Sequence, residues 1–278
     1  MSRRLIEPIV LNDAGAPRLA VSLSQRAAEL RSRLAGLIAA HADAATGFVD
    51  YRGLARSAEW RAVVETTGGL AGAQPEELAT PDEQIAFWAN LYNALTVHAI
   101  VALGIRDGIG EVHEFFRCIR YEVGGEAFSL IDIEHGVLRQ NRPSRNQPNP
   151  VWAPDDRRRA WMVGRFDPRV HFTLMCGTRS CPPIRAYRAD RLEAQLDLAA
   201  RGFVNADVEV DRARGTLRLS RLFYWYADDF PDLVPWLVRH LDPSPGREWL
   251  AANVSAATLE YRAYDWALND SGRTVPLA

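Results

Sequence analysis

The chain has no lysine: all 33 of its basic residues are arginine. That absence removes Schiff-base and pyridoxal chemistry, the P-loop lysine of NTPases and the ATP-binding lysine of kinases. Cysteine is scarce too. Three in 278 residues (Cys118, Cys176 and Cys181) do not make a disulfide framework. Neither sign of charge dominates, since 33 basic residues face 35 acidic ones, and this gives no electrostatic footprint for nucleic acid or an anionic membrane. The longest apolar run, Ala94 to Ile105, is about twelve residues, contains Thr96 and His98, and is short for a bilayer span. The start, MSRRLIEPIVLNDAG, is broken by Glu7 and Pro8 and makes a poor signal peptide, so a cytoplasmic protein is expected. Internal repeats, low-complexity segments and a Gly-rich phosphate loop are also lacking, and no nucleotide or other cofactor is expected.

What is present is an ordinary globular composition, 47% hydrophobic with 8 Trp, 8 Tyr and 10 Phe, enough for a sizeable core. Residues 1–18 read as an irregular arm. Val21–His41 has helical apolar spacing, and Pro81-Asp82-Glu83 starts a helix that runs from Gln84 to about Leu103 and stops at Gly104. Cys118–Leu130 has strand character around a Gly124-Gly125 turn, and Leu130–Gln140 begins another helix. Residues 141–168 are proline-rich and charged, reading as a solvated loop of the kind that often rims an active site. Val170–Cys176 reads as a strand, Ala189–Ala200 as a helix stopped by Gly202, and Val208–Val210 with Leu217–Leu219 as a hairpin turning near Gly215. Leu222–Leu241 is helical in two pieces, because Pro231 and Pro235 interrupt it. The expectation is a mainly helical α+β domain over 19–278 with a small antiparallel sheet and long loops, in which 19–75 could form a helical subdomain.

Several polar residues sit where apolar ones would be cheaper. Within FWANLYNALTVH, Asn90 and Asn93 are three apart, and Asn90, Ala94 and His98 form one row on a helix that is apolar almost all round. Leaving such groups unsatisfied costs about 1–3 kcal/mol each, so they either tie down backbone or line a pocket. In IDIEHGVLR, Glu134 and His135 are adjacent and on a regular helix would not face one way. His135 and Arg139 share a row, which a surface pair would also explain.

The stretch VHFTLMCGTRSCPP carries the most chemistry. If it is a strand, His171 and Cys176 face opposite ways, whereas a turn at Gly177 brings Cys181 back over the His171 side. An imidazole and the nearby Arg179 would both favour a Cys181 thiolate. Three other fates compete: buried apolar thiols, a local disulfide that a reducing compartment disfavours, or a Cys2His zinc site built from His171, Cys176 and Cys181. H-x4-C-x4-C is not a familiar zinc spacing, and no metal is assigned.

Four blocks in order, FWANLYNALTVHAIV, SLIDIEHGVLR, DPRVHFTLMCGTRSCPPIRAY and YRAYDWALND, resemble the domain-of-unknown-function 547 family, and they span about residues 85–270. Its members are widespread in bacteria, and the resemblance implies no established activity. Its motifs fall on Asn90, Asn93, Glu134, His135, Arg139, His171, Cys176, Arg179, Ser180, Cys181 and Pro182. Thr173 and Met175 are mild departures from its pattern.

The expected function is a cysteine-nucleophile hydrolase or acyltransferase acting on an amide or thioester of a small molecule or peptide. Cys181 attacks, His171 or else His135 is the base, and Glu134 orients the imidazole. Asn90 or Asn93, with N–H groups of the 178–181 turn, would form an oxyanion hole. Arg139 and Arg179, beside Ser180, would bind a substrate carboxylate. The alternatives are a non-catalytic interaction module, in which Cys, His and Asn only build the fold, and a zinc-dependent hydrolase.

Overall fold

Two capped helices set the frame. Ser22 and Gln25 form a capping box that opens Leu23–His41, and Thr80 and Glu83 form another that opens Pro81–Ala102. The second helix ends at Gly104, whose φ of +60° suits a residue without Cβ. In this computed structural model, which describes residues 7–12, 21–44 and 46–272, Pro81–Ala102 is the central element, buried from Ile85 through Ile100. It is long and apolar enough to cross a membrane, but it is wrapped by the protein's own core.

The fold is α+β, and the sheets are mixed rather than purely antiparallel. Ile119–Val123 and Glu126–Ser129 form the expected hairpin over Gly124 and Gly125, and Ile9–Val10 adds a parallel strand. That strand lies within the expected irregular arm, whose residues 1–6 and 13–18 fall outside those described. Glu209–Asp211 and Thr216–Leu219 form the second hairpin, turning at Gly215, and Thr258–Tyr261 joins it in parallel.

Apolar side chains gather in two cores. The larger one joins Leu30, Leu34, Trp60 and Val63 of the helices before residue 75 to Trp88, Leu91 and Leu95 of the central helix, so the N-terminal helices share its core. The smaller one holds Phe172, Phe203, Phe223, Phe230 and Trp236.

Three expectations fail for local reasons. Pro168–Phe172 is a short 3-10 helix, not the start of a strand, because Asp167 caps it through Arg169 N and Pro168 presets its first turn. The helix Leu192–Asp207 runs straight through Gly202, where glycine costs about 1 kcal/mol against alanine but does not stop a helix. Residues 141–168 are not merely solvated. Trp152, Trp161 and Val163 are buried, and Asn141 fixes the backbone of Val151 and Trp152 through three hydrogen bonds.

The Trp152 indole donates to Asp132 Oδ1 and lies where a Cβ on Gly136 would be. Gly136→Ala should therefore cost about 1–3 kcal/mol of unfolding free energy in a urea titration, from overpacking alone. A variant as stable as the parent would show that the indole has room to move.

Candidate functional site

The segment after the first hairpin widens into a π-helix over Asp132–Leu138, with Arg139 N bonding to Glu134 O five residues back. Such wide turns reduce the angle between successive side chains and recur at functional sites. Here the widening turns both Glu134 and His135 into one cleft, where a regular helix would have sent one of them aside.

That cleft lies on the seam between the two cores. Tyr92 comes to it from the central helix, His171 from the short 3-10 helix, and Cys176 and Cys181 from the turn after it. Trp225 and Tyr226 arrive from the aromatic run, and Tyr264 and Trp266 from the closing segment. All four sequence blocks thus meet at one place.

Arg139 holds the floor. It is fully buried, and all five of its N–H groups are used. Nε and Nη2 grip Asp229 at 2.7 and 3.0 Å, Nη1 donates to His135 Nδ1 at 2.9 Å, and the remaining two go to the carbonyls of Arg142 and Pro143. Because a guanidinium only donates, His135 Nδ1 must be bare and its proton must lie on Nε2, which faces the Tyr226 hydroxyl at 3.5 Å. Burial first, then Arg139, lowers the His135 pKa to about 3, so it is a neutral imidazole. Burial alone would raise Asp229, but hydrogen bonds from His171 and Arg139 outweigh it and hold that carboxyl at about 2.

Asp229 Oδ2 also receives His171 Nε2 at 2.7 Å. An ionised carboxylate only accepts, so Nε2 carries a proton and Nδ1 is the nitrogen left for chemistry. His171 Nδ1 is buried and has no partner among the described residues. The ring is fixed by stacking on Tyr226, with centroids 3.9 Å apart. The group that orients the imidazole is therefore Asp229 and not Glu134. Glu134 instead accepts from the hydroxyls of Tyr226 and of Tyr92, the latter at 3.4 Å. Burial and then Glu134 push both tyrosines well above their usual range, so they remain donors.

Cys176 and Cys181 are joined as a disulfide, where a reduced pair was expected. Gly177, at φ +83°, makes the turn between them, and a Cβ there would press on Ile100. The Cys181 sulfur is the end point of two donors, Cys176 N–H at 3.0 Å and the Tyr264 hydroxyl at 3.2 Å. Cys176 is buried, whereas Cys181 is partly exposed. Among the described residues no three His, Cys, Asp or Glu side chains form a metal-binding group.

Five expected substrate-binding residues do other work. Asn90 pairs with the N–H and C=O of Tyr187, and Asn93 bonds to Thr173 O, Arg185 O and Met175 N, so both amides are spent tying loops to the central helix. Neither is free for an oxyanion, and the 179–181 N–H groups are likewise bonded, to Ala267, Asp265 and Thr178 carbonyls. Ser180 Oγ accepts from Asp265 N and anchors the closing segment. Arg139 is enclosed, and Arg179 lies over the Phe48 ring, with neither lining the cleft. His98 is a core histidine bonded to the Tyr121 hydroxyl.

Asp229, Tyr92, Tyr226 and Tyr264 escaped the sequence reading. The available signals were an acidic pair closing an aromatic run and tyrosines inside two of the blocks, and neither says what the side chain will meet.

Residues 75–204 match the family described as "Protein of unknown function, DUF547". Over those residues, a little under half of its length, the chain is similar to the DUF547 family. The matched span holds Tyr92, Glu134, His135, Arg139, His171 and both bonded cysteines, while Tyr226, Asp229 and Tyr264 come from beyond it. No curated protein and no solved structure matches the chain.

Stability should respond to pH through two buried histidines. Burial lowers His98 to about 4, and His135 lies at about 3, while the unfolded chain takes up protons near the usual 6.5. Between those values the unfolded state binds more protons, so stability falls as pH falls, by up to about 1.4 kcal/mol per pH unit per group. Asp229 adds a further loss from about pH 4 toward 2. Thermal melts should be level above pH 7 and decline from about 6.5 downward. A melting temperature unchanged to pH 4.5 would contradict the neutral, buried imidazoles.

Proposed function

We propose that this cleft is the active site of a cysteine-nucleophile hydrolase or acyltransferase acting on an amide or thioester. Cys181 is the nucleophile, His171 the base and later the acid, and Asp229 the group that orients the imidazole. The convergence on one sulfur carries this reading: Cys181 Sγ is met by a backbone N–H and a tyrosine hydroxyl, in a cleft shared with a histidine whose Nδ1 has no partner. Once the disulfide is reduced, both donors favour the thiolate over the thiol. The Cys181 proton passes to His171 Nδ1 while Asp229, on Nε2, stabilises the imidazolium. Sulfur then attacks the acyl carbon, and the same proton returns to the leaving amine or thiol. A water deprotonated by His171, or an acceptor nucleophile, releases the acyl group. His135, neutral and anchored by Arg139, is a positioning residue for Tyr226 and not the base.

The disulfide supports a second reading, in which Cys176 and Cys181 cycle between dithiol and disulfide as a redox pair. In a reducing cytoplasm the pair would be open and the first reading applies.

The two separate on single variants. In Cys176→Ser the Cys181 thiol is permanently free, and iodoacetamide labelling followed by mass spectrometry should reach half its maximal rate at least about one pH unit below the ordinary 8.5. This variant should also turn over activated acyl esters or thioesters, whereas Cys181→Ser should lose that turnover while melting close to Cys176→Ser, which lacks the same cross-link. Labelling of Cys181 that rises only above pH 8 in Cys176→Ser would end the nucleophile reading. Turnover lost in both variants, with disulfide exchange intact in the parent, would favour the redox pair.

A further inference from the structure

Charge in the cleft has the opposite sign to the one a carboxylate-binding site needs. The chain has 33 arginines, yet none is among the described residues lining this cleft. Arg139, whose guanidinium lies beneath the Tyr226 ring 5.0 Å from its centroid, is neutralised by Asp229. Among the described residues Glu134 is the one carboxylate in the lining, and its hydrogen-bond partners there are two tyrosine hydroxyls and no cation. With His135 neutral, and with Arg117, the other guanidinium that acts on it, paired with Glu114 at 3.1 Å, Glu134 and Asp229 against Arg139 leave an excess of one negative charge among the described residues around the cleft.

The same lining is rich in aromatic rings. Trp225, Tyr264 and Trp266 touch one another with ring centroids 4.7 to 5.8 Å apart, and Phe116 and Tyr226 extend the surface. Trp266 is 45% exposed, an indole held open at the rim and not folded into a core. A negative point at the floor and π-faces on the wall are complementary to an organic cation.

We infer that the cleft selects substrates carrying an ammonium group, bound by Glu134 and by the Trp225–Tyr264–Trp266 wall beside the Cys181 sulfur. This rests on the proposed reading of the site and names the class of its substrate: an amide or thioester whose acyl or leaving part bears an amine. Such a cation would supply the positive partner that Glu134 lacks among the described residues.

The test is a calorimetric titration of the full chain at pH 7 with three probes of one shape: 2-phenylethylammonium, 2-phenylethanol and 3-phenylpropionate. The ammonium should bind about tenfold more tightly than the alcohol, and the carboxylate not measurably. Glu134→Gln should bring the ammonium to within about twofold of the alcohol. If that variant does not fold, Trp266→Leu, at the exposed rim, should weaken the ammonium several-fold more than the alcohol. Equal binding of ammonium and alcohol, or preferred binding of the carboxylate, would overturn the inference. Alkylation of Cys181 in Cys176→Ser separates the two failures. A fast Cys181 with no ammonium preference removes the substrate class and keeps the nucleophile, and a slow Cys181 with the preference intact removes the nucleophile and keeps a cation-binding cleft.

Discussion

One buried carboxylate, Asp229, organises the site. It bonds to a guanidinium on one side and an imidazole on the other, and among the described residues no other side chain hydrogen-bonds to both. Taking Arg139 wholly out of water carries a penalty of several kcal/mol, which only a complete set of acceptors offsets. Asp229, His135 Nδ1 and two carbonyls supply that set. The guanidinium in turn fixes the His135 tautomer, and the carboxylate fixes that of His171. Three residues from three distant segments therefore share one solution. Removing Asp229 would leave the buried guanidinium without its carboxylate and the His171 Nε2–H without its acceptor.

The same constraint explains why the cleft lies on a seam. The larger core carries Arg139 and His135 on the π-helix, and the smaller core carries Asp229 after its aromatic run. The ion pair ties the cores together where His171 stacks on Tyr226, and the opening beside it exposes Glu134 and Cys181. Burial makes His135 a neutral acceptor with one defined orientation, while His171 keeps one nitrogen without a partner in the same space.

Much of this was legible in the sequence. The capped helices, both glycine hairpins, the buried amides of Asn90 and Asn93 and the turn at Gly177 follow from local rules of capping, turns and hydrogen-bond satisfaction. Asp229 did not, because it meets His171 from 58 positions away, and nothing local marks one aspartate of a pair as buried. Arg139 was misjudged because its spacing with His135 fits a surface pair as well as an internal one, and only the fold shows that solvent is excluded. The 168–172 turn was misjudged because an alternating apolar pattern over so few residues fits a strand, while the Asp167–Pro168 cap outweighs it. Glu134 and His135 share a cleft only because the helix between two regular elements is wide, which no periodicity predicts.

The assignment of His171 is the claim on which the chemistry turns, and nitrogen-15 NMR of the histidine rings tests it most directly. In the disulfide form the account predicts a proton on His171 Nε2. Reduction should then bring a proton to Nδ1, forming the imidazolium that pairs with the Cys181 thiolate. A His171 protonated on Nδ1 alone, or one whose ring nitrogens are unchanged when Cys176 and Cys181 are reduced, would contradict it.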